Sequence, residues 1–133
     1  MERGDPEQEL IQFIVDHLDT VPHLEALLLI WQNPHTGWTA DVLAGRIYVT
    51  PPVARAILEN LHQQGVLKSE GVPDAIFFFD PAWDAQRQLL PRLAEFYRRQ
   101  LVKVTKLIHS KGSNSVREFA RAFQIKKDPP KDN

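Results

Sequence analysis

The 133-residue chain contains no cysteine. That excludes disulfides, thiol nucleophiles and thiolate metal sites, so any chemistry must come from other side chains. No run of 18 or more apolar residues occurs, which removes the simplest sign of a membrane-spanning helix. The start, Met1-Glu2-Arg3-Gly4-Asp5, is acidic where a secretory leader is basic and then apolar. The expectation is a soluble, cytoplasmic protein with no membrane partner. Gly-x-Ser-x-Gly, a phosphate-binding glycine loop and a conspicuous carboxylate pair are all missing, so no enzyme activity and no cofactor are expected. The five histidines, His17, His23, His35, His62 and His109, include no i, i+4 pair enclosing a helical carboxylate, and no metal site is expected. There is no internal repeat.

What is present is enough for one domain: 43% of the residues are hydrophobic, sufficient for a real core. The formal net charge of −1 conceals an asymmetry. Through Glu25, seven acids face Arg3 alone; from residue 26 to 85, six acids oppose Arg46, Arg55 and Lys68; from residue 86 onward, twelve bases face four acids. A polyanion is drawn first to the C-terminal part. The bases Arg92, Arg98, Arg99, Lys103 and Lys106 suit either a positive surface for nucleic acid or an acidic protein, or pairing with the acidic N-terminal helix of the same or a second subunit.

Apolar residues at three- and four-residue spacing predict a helix over 6–18 (Leu10, Phe13, Ile14, Leu18) and a second from about Pro22 to Asn33 (Leu24, Leu27, Leu28, Trp31). Ala26, Leu29 and Ile30 make the second apolar nearly all round, so it belongs at the centre of the core. Next comes "WTADVLAGRIYVTPPVARAILENLHQQGVL", residues 38–67. Thr39 is a good N-cap, with Trp38 and Leu43 placed to form a hydrophobic staple over a short helix from Ala40 to Arg46. Ile47-Tyr48-Val49 makes a turn. Thr50 caps again, and Pro51 and Pro52 occupy first-turn positions where a missing N–H costs nothing. In the helix that follows, to about Gln64, Ala54, Ile57, Leu58 and Leu61 share one face, and Pro52, Arg55, Ala56, Glu59 and Gln63 share the other. Gly65 ends it, and residues 66–69 and 75–79 read as two short strands around a hairpin loop.

Asp80-Pro81 opens another helical stretch that continues to about His109, with a kink or split at Pro91. Leu90, Ala94, Tyr97, Leu101, Val104 and Ile108 repeat at alternating four and three residues, a seam suited to a partner helix and assigned here to a homodimer interface. Ser115 and Glu118 fit a capping box before a short helix through Phe123, and residues 124–133 read as a flexible tail. The whole chain, 1–133, is expected to form a single domain. Residues 22–80 make its core, with 6–18 and 81–123 as flanking and dimerisation helices.

The stretch "TADVLAGRIYVTPPVARAILENLHQQGVL" resembles the bacterial winged helix-turn-helix superfamily, and residues 7–110 are similar to the MarR-like transcriptional regulators in their order of elements. The resemblance implies a mainly α fold with a small two-stranded wing, flanked by an N-terminal helix and long C-terminal dimerisation helices. It implies a homodimer that binds double-stranded DNA at a pseudo-palindromic operator. Ala40 to Arg46 would be the supporting helix, Pro51 to Gln64 the recognition helix and Lys68 to Phe79 the wing. In such modules early recognition-helix residues meet base edges. Arg55 is then the candidate for a bidentate guanine contact and Asn60 a later, weaker one, with Pro51 and Pro52 at the leading end. Thr39, Arg46, Thr50 and Lys68 are the candidates for phosphates. One feature departs from the pattern: the wing loop offers Glu70 and Asp74 with no base between them. The alternative is therefore a winged-helix module that has lost DNA reading and holds a regulatory protein, through the recognition face or the basic C-terminal region.

Overall fold

A computed structural model of the chain describes residues 6–71 and 75–110. Within them, most helices start where the sequence supplies a cap. α1 (Pro6–His17) opens on a proline and buries Leu10 and Ile14. α2 (Val21–Gln32) is capped by Thr20, whose hydroxyl accepts from His23 N at 3.2 Å. Leu24, Ala26, Leu27 and Ile30 of α2 are completely buried, which makes it the central helix expected from its apolar circumference.

α3 (Ala40–Ile47) and α4 (Pro51–Gln63) pack on each other, with α2 behind both. Between them Tyr48 takes the left-handed conformation, φ 60° and ψ 48°, and closes α3 with its own N–H on Ala44 O. That conformation is costly for a residue with a Cβ, and it lets the chain reverse direction within three residues. α4 ends in a full glycine cap. Gly65, at φ 87°, donates to His62 O, and Val66 N donates to Leu61 O, both at 3.0 Å.

β1 (Leu67–Glu70) and β2 (Ile76–Phe79) pair antiparallel, Leu67 opposite Phe79 and Glu70 opposite Ile76. β2 has a second neighbour. Trp38 N donates to Phe77 O at 2.8 Å and Phe77 N donates to Trp38 O at 2.9 Å, a bridge that ties the segment before α3 to the wing. Trp38 is fully buried, as is Leu43.

The C-terminal helices divide more than the periodicity suggested. α5 (Pro81–Ala85) is one short turn capped by Asp80; α6 (Leu89–Arg99) follows after Gln88 in the left-handed region; and α7 occupies 101–110 after a break at Gln100, φ −123° and ψ 44°. The expected split near Pro91 thus falls at Gln88, three residues ahead of it, and the expected continuous piece from Pro91 to His109 has a second break. α6 lacks a side-chain cap at Gln88. Instead Asp84, buried, accepts Leu89 N at 2.8 Å on Oδ1 and Leu90 N at 3.2 Å on Oδ2. The third position is Pro91, which has no N–H to satisfy, so one carboxylate serves the start of the helix.

α1 packs on α6, and charges cross that contact: Arg92 Nη1 lies 2.8 Å from Glu9 Oε1, and Lys103 Nζ of α7 bonds Glu7 Oε2. Of the residues assigned to a dimer seam, Leu90, Val104 and Ile108 are covered by the chain's own core, at 0%, 0% and 1% exposure. Ala94 and Tyr97 are half-buried, and Leu101 is exposed beside Val102. The helix expected from Ser115 to Phe123 and the tail from 124 lie outside the described residues, as does Asp74. Among the described residues no helix is long and apolar enough to cross a membrane.

Candidate nucleic-acid interface

The site is built on α4. Thr50 starts it by accepting Val53 N at 3.4 Å, and Pro51 and Pro52 follow in the first turn, both exposed. Ala54, Ile57, Leu58 and Leu61 are buried against α3 and α2, which locks the rotation of the helix about its axis. That rotation fixes the opposite flank: Pro52, Arg55, Ala56, Glu59 and Gln63 are all exposed. The segment is two-faced, as its helical period predicts.

Arg55 is exposed, and among the described residues it forms no ion pair, so its guanidinium is available to a ligand. Asn60 is placed differently. It is half-buried, its carboxamide oxygen accepts from Gln64 Nε2, and the same amide group donates to His17 O of α1 at 3.2 Å. Gln64 thus fastens the far end of α4 to α1 and holds the Asn60 side chain there, away from the leading turn. Thr39 is half-buried and caps α3 by accepting Val42 N at 3.2 Å. Arg46 is exposed with its guanidinium 5.6 Å from the centroid of the Trp38 ring, a cation–π contact that holds its stem against the fold while the charge stays in water. Lys68, on β1, is exposed and lies 4.0 Å from Asp80 Oδ1.

The electrostatics around α4 are mixed. Exposed Arg46, Arg55 and Lys68 share the head with exposed Asp41, Glu59 and Glu70. The head also presents apolar surface. Val42 is 48% exposed, Val53 45% and Tyr48 92%. These three were not singled out from the sequence, although a tyrosine in the turn between two helices was a usable signal, because a tight turn between packed helices points its middle side chain outward. Among the described residues the C-terminal cations, by contrast, are largely engaged. Arg92 and Lys103 bond α1, Arg98 and Arg99 share Glu95 at 2.6 and 3.3 Å, and Arg87 lies over the Trp83 ring at 4.4 Å. Among the described residues no group of three or more His, Asp and Glu is placed to hold a metal.

No family model matches the chain, and comparison with curated proteins finds no match. Solved structures do match. MepR from Staphylococcus aureus, a transcription regulator of the multidrug efflux pump MepA, superposes with a TM-score of 0.52 at 13% identity, over 90% of this chain and 88% of that one. A MepR mutant bound to an oligodeoxyribonucleotide gives 0.51 at 13% identity over 90% of each chain. RV1404 from Mycobacterium tuberculosis gives 0.50 at 14% identity, over 96% of this chain and 86% of that one.

The fold is a winged helix-turn-helix, the backbone shape of these structures. In that frame α3 and α4 are the packed helix pair, and β1 with β2 forms the wing. At these identities the likeness concerns backbone shape, and the chemistry presented on α4 is this chain's own.

Proposed function

We propose that the protein is a DNA-binding transcription regulator that acts as a homodimer on a pseudo-palindromic operator, one α4 to each half-site, with half-site centres about 34–36 Å apart. The observation that carries this is the geometry of α4: its apolar flank is locked inward, and Arg55 stands unpaired among the described residues on the outward flank near the leading end. The fold likeness to a MepR mutant bound to an oligodeoxyribonucleotide supports DNA as the ligand. A guanidinium so placed matches guanine O6 and N7 with two hydrogen bonds. Arg46 and Lys68, with the capping Thr39 and Thr50, lie at the periphery of α4 and suit phosphate contacts.

Titration of full-length protein against promoter DNA tests this directly. Arg55→Ala should cost about 1–3 kcal/mol on the preferred site and relax selection at one base pair. Lys68→Ala should weaken all sequences alike and reduce the salt slope by about one. Unchanged affinity and unchanged preference in Arg55→Ala would remove the proposed reader.

The mixed charge of the head favours a second reading, a winged-helix module that holds a regulatory protein. Phosphate neutralisation supplies most nonspecific DNA affinity, and three exposed cations beside three exposed acids supply little of it. Complete absence of DNA binding at about 50 mM salt would select this second reading, since electrostatic affinity is strong at that ionic strength.

A further inference from the structure

The exposed leading turns of α4 carry almost no hydrogen-bonding capacity. From Pro51 to Ala56 the outward residues are Pro51, Pro52, Val53, Arg55 and Ala56. Four of these five side chains hold no donor or acceptor, and the two prolines lack even a backbone N–H. Val53 is 45% exposed, so its isopropyl group is presented at the surface. Resting on the DNA-binding reading above, we infer that the protein selects thymine-rich half-sites by packing Pro52, Val53 and Ala56 against thymine methyl groups, around a single guanine held by Arg55.

The inference follows from what the major groove offers. Thymine's C5-methyl is the apolar group displayed there; guanine, cytosine and adenine show acceptors and amino donors. Pressing those polar edges against proline, valine or alanine strips their water and returns no hydrogen bond. Selection then works in both directions, toward methyl-bearing positions and against polar ones. Glu59, exposed one turn later, adds repulsion toward the nearby phosphates and confines close approach to the leading end.

The experiment uses full-length protein and the best duplex selected from a random pool, with affinity read by fluorescence anisotropy. Each thymine is replaced singly by deoxyuridine, which keeps every hydrogen-bonding group and deletes only the methyl. The expected result is a thymine-rich half-site in which contacted positions lose about fourfold in affinity per methyl, the size set by removing one such group from water. In Val53→Ser, an exposed substitution that leaves the core intact, the deoxyuridine penalty at one position should disappear, while Arg55→Ala should keep the thymine preference and lose the guanine. A fully deoxyuridine-substituted site bound as tightly as the parent overturns methyl reading and leaves DNA binding standing. A protein that selects no duplex from the pool overturns both.

Discussion

Gly37 stands where a Cβ would lie 2.7 Å from Ile76 Cγ2 and 3.0 Å from Phe78 Cζ, so the wing closes over a position that has room only for hydrogen. Ile76 cannot swing aside freely, because its branched Cβ sits on β2. Gly37→Ala should therefore destabilise the fold by about 1–3 kcal/mol, the usual cost of forcing a methyl into a filled space. Urea unfolding checks it, and an unchanged midpoint would mean that β2 shifts without cost. Tyr97 has a consequence of another kind. Its hydroxyl donates to Glu25 Oε2 at 3.2 Å, and burial first, then the charge of Glu25 and the bond to it, push the phenol from 10.0 up to about 12. The folded value lies above the unfolded one, so the folded state holds this proton more tightly. The stability it contributes is complete below pH about 10 and is lost as the pH rises toward about 12. An absorbance titration should show a phenolate component with a midpoint of about 12 that vanishes in Tyr97→Phe. A late component that survives the substitution would place the effect elsewhere.

At the level of elements, the parts legible in the sequence are those set by neighbours in the chain. Thr39, Thr50 and Asp80 each accept a backbone N–H two or three residues on, and Gly65 ends α4 in the left-handed conformation. A cap is a local bond, so its signature is a short string of residues. The inward and outward faces of α4 were legible for the same reason, since helical period fixes them. What escaped depends on contacts across the fold. Trp38 pairs with Phe77 nearly forty residues later, and periodicity carries no trace of that bridge. Leu90, Val104 and Ile108 read as a regular seam, and the chain buries all three in its own core. A heptad-like spacing shows which side of a helix wants cover and leaves open who provides it. The break at Gln100 has no proline or glycine to announce it. Asp84 was invisible too, because a cap acting across a left-handed turn matches none of the usual patterns. Its role is testable: Asp84→Ala leaves Leu89 N and Leu90 N without their acceptors in a buried place, which should cost about 1–3 kcal/mol. Loss of protection at those two amides in hydrogen exchange would identify the start of α6 as the part that loosens. Exchange that stays slow there would show another acceptor taking over.

For the whole molecule, the proposed function requires a chain of net charge −1 to approach a polyanion. Among the described residues Arg46, Arg55 and Lys68 are the exposed cations of the head, and the proposed dimer would present each twice. Six neutralised phosphates would give a slope of log affinity against log salt of about −5, a ceiling here because Arg55 is assigned to a base and Lys68 is shared with Asp80. The slope also reports assembly. Leu101, 52% exposed, and Val102, 65% exposed, form the apolar surface at the start of α7, beside an open cleft of about 610 Å³ that Leu28, Leu29 and Ala94 line. A partner subunit covering this region would remove that surface from water, and a buried carboxylate there would oppose it. Leu101→Asp should therefore leave the monomer folded, shift sedimentation from dimer to monomer, and roughly halve the salt slope, since each DNA then meets one head. The C-terminal bases Lys126, Lys127 and Lys131 provide the contrast, for they belong to the most basic stretch of the sequence. Replacing all three with glutamine should leave a slope set by the head unchanged. A steep slope that collapses with those lysines, and stays constant in Leu101→Asp, would move the polyanion contact from α4 to the end of the chain.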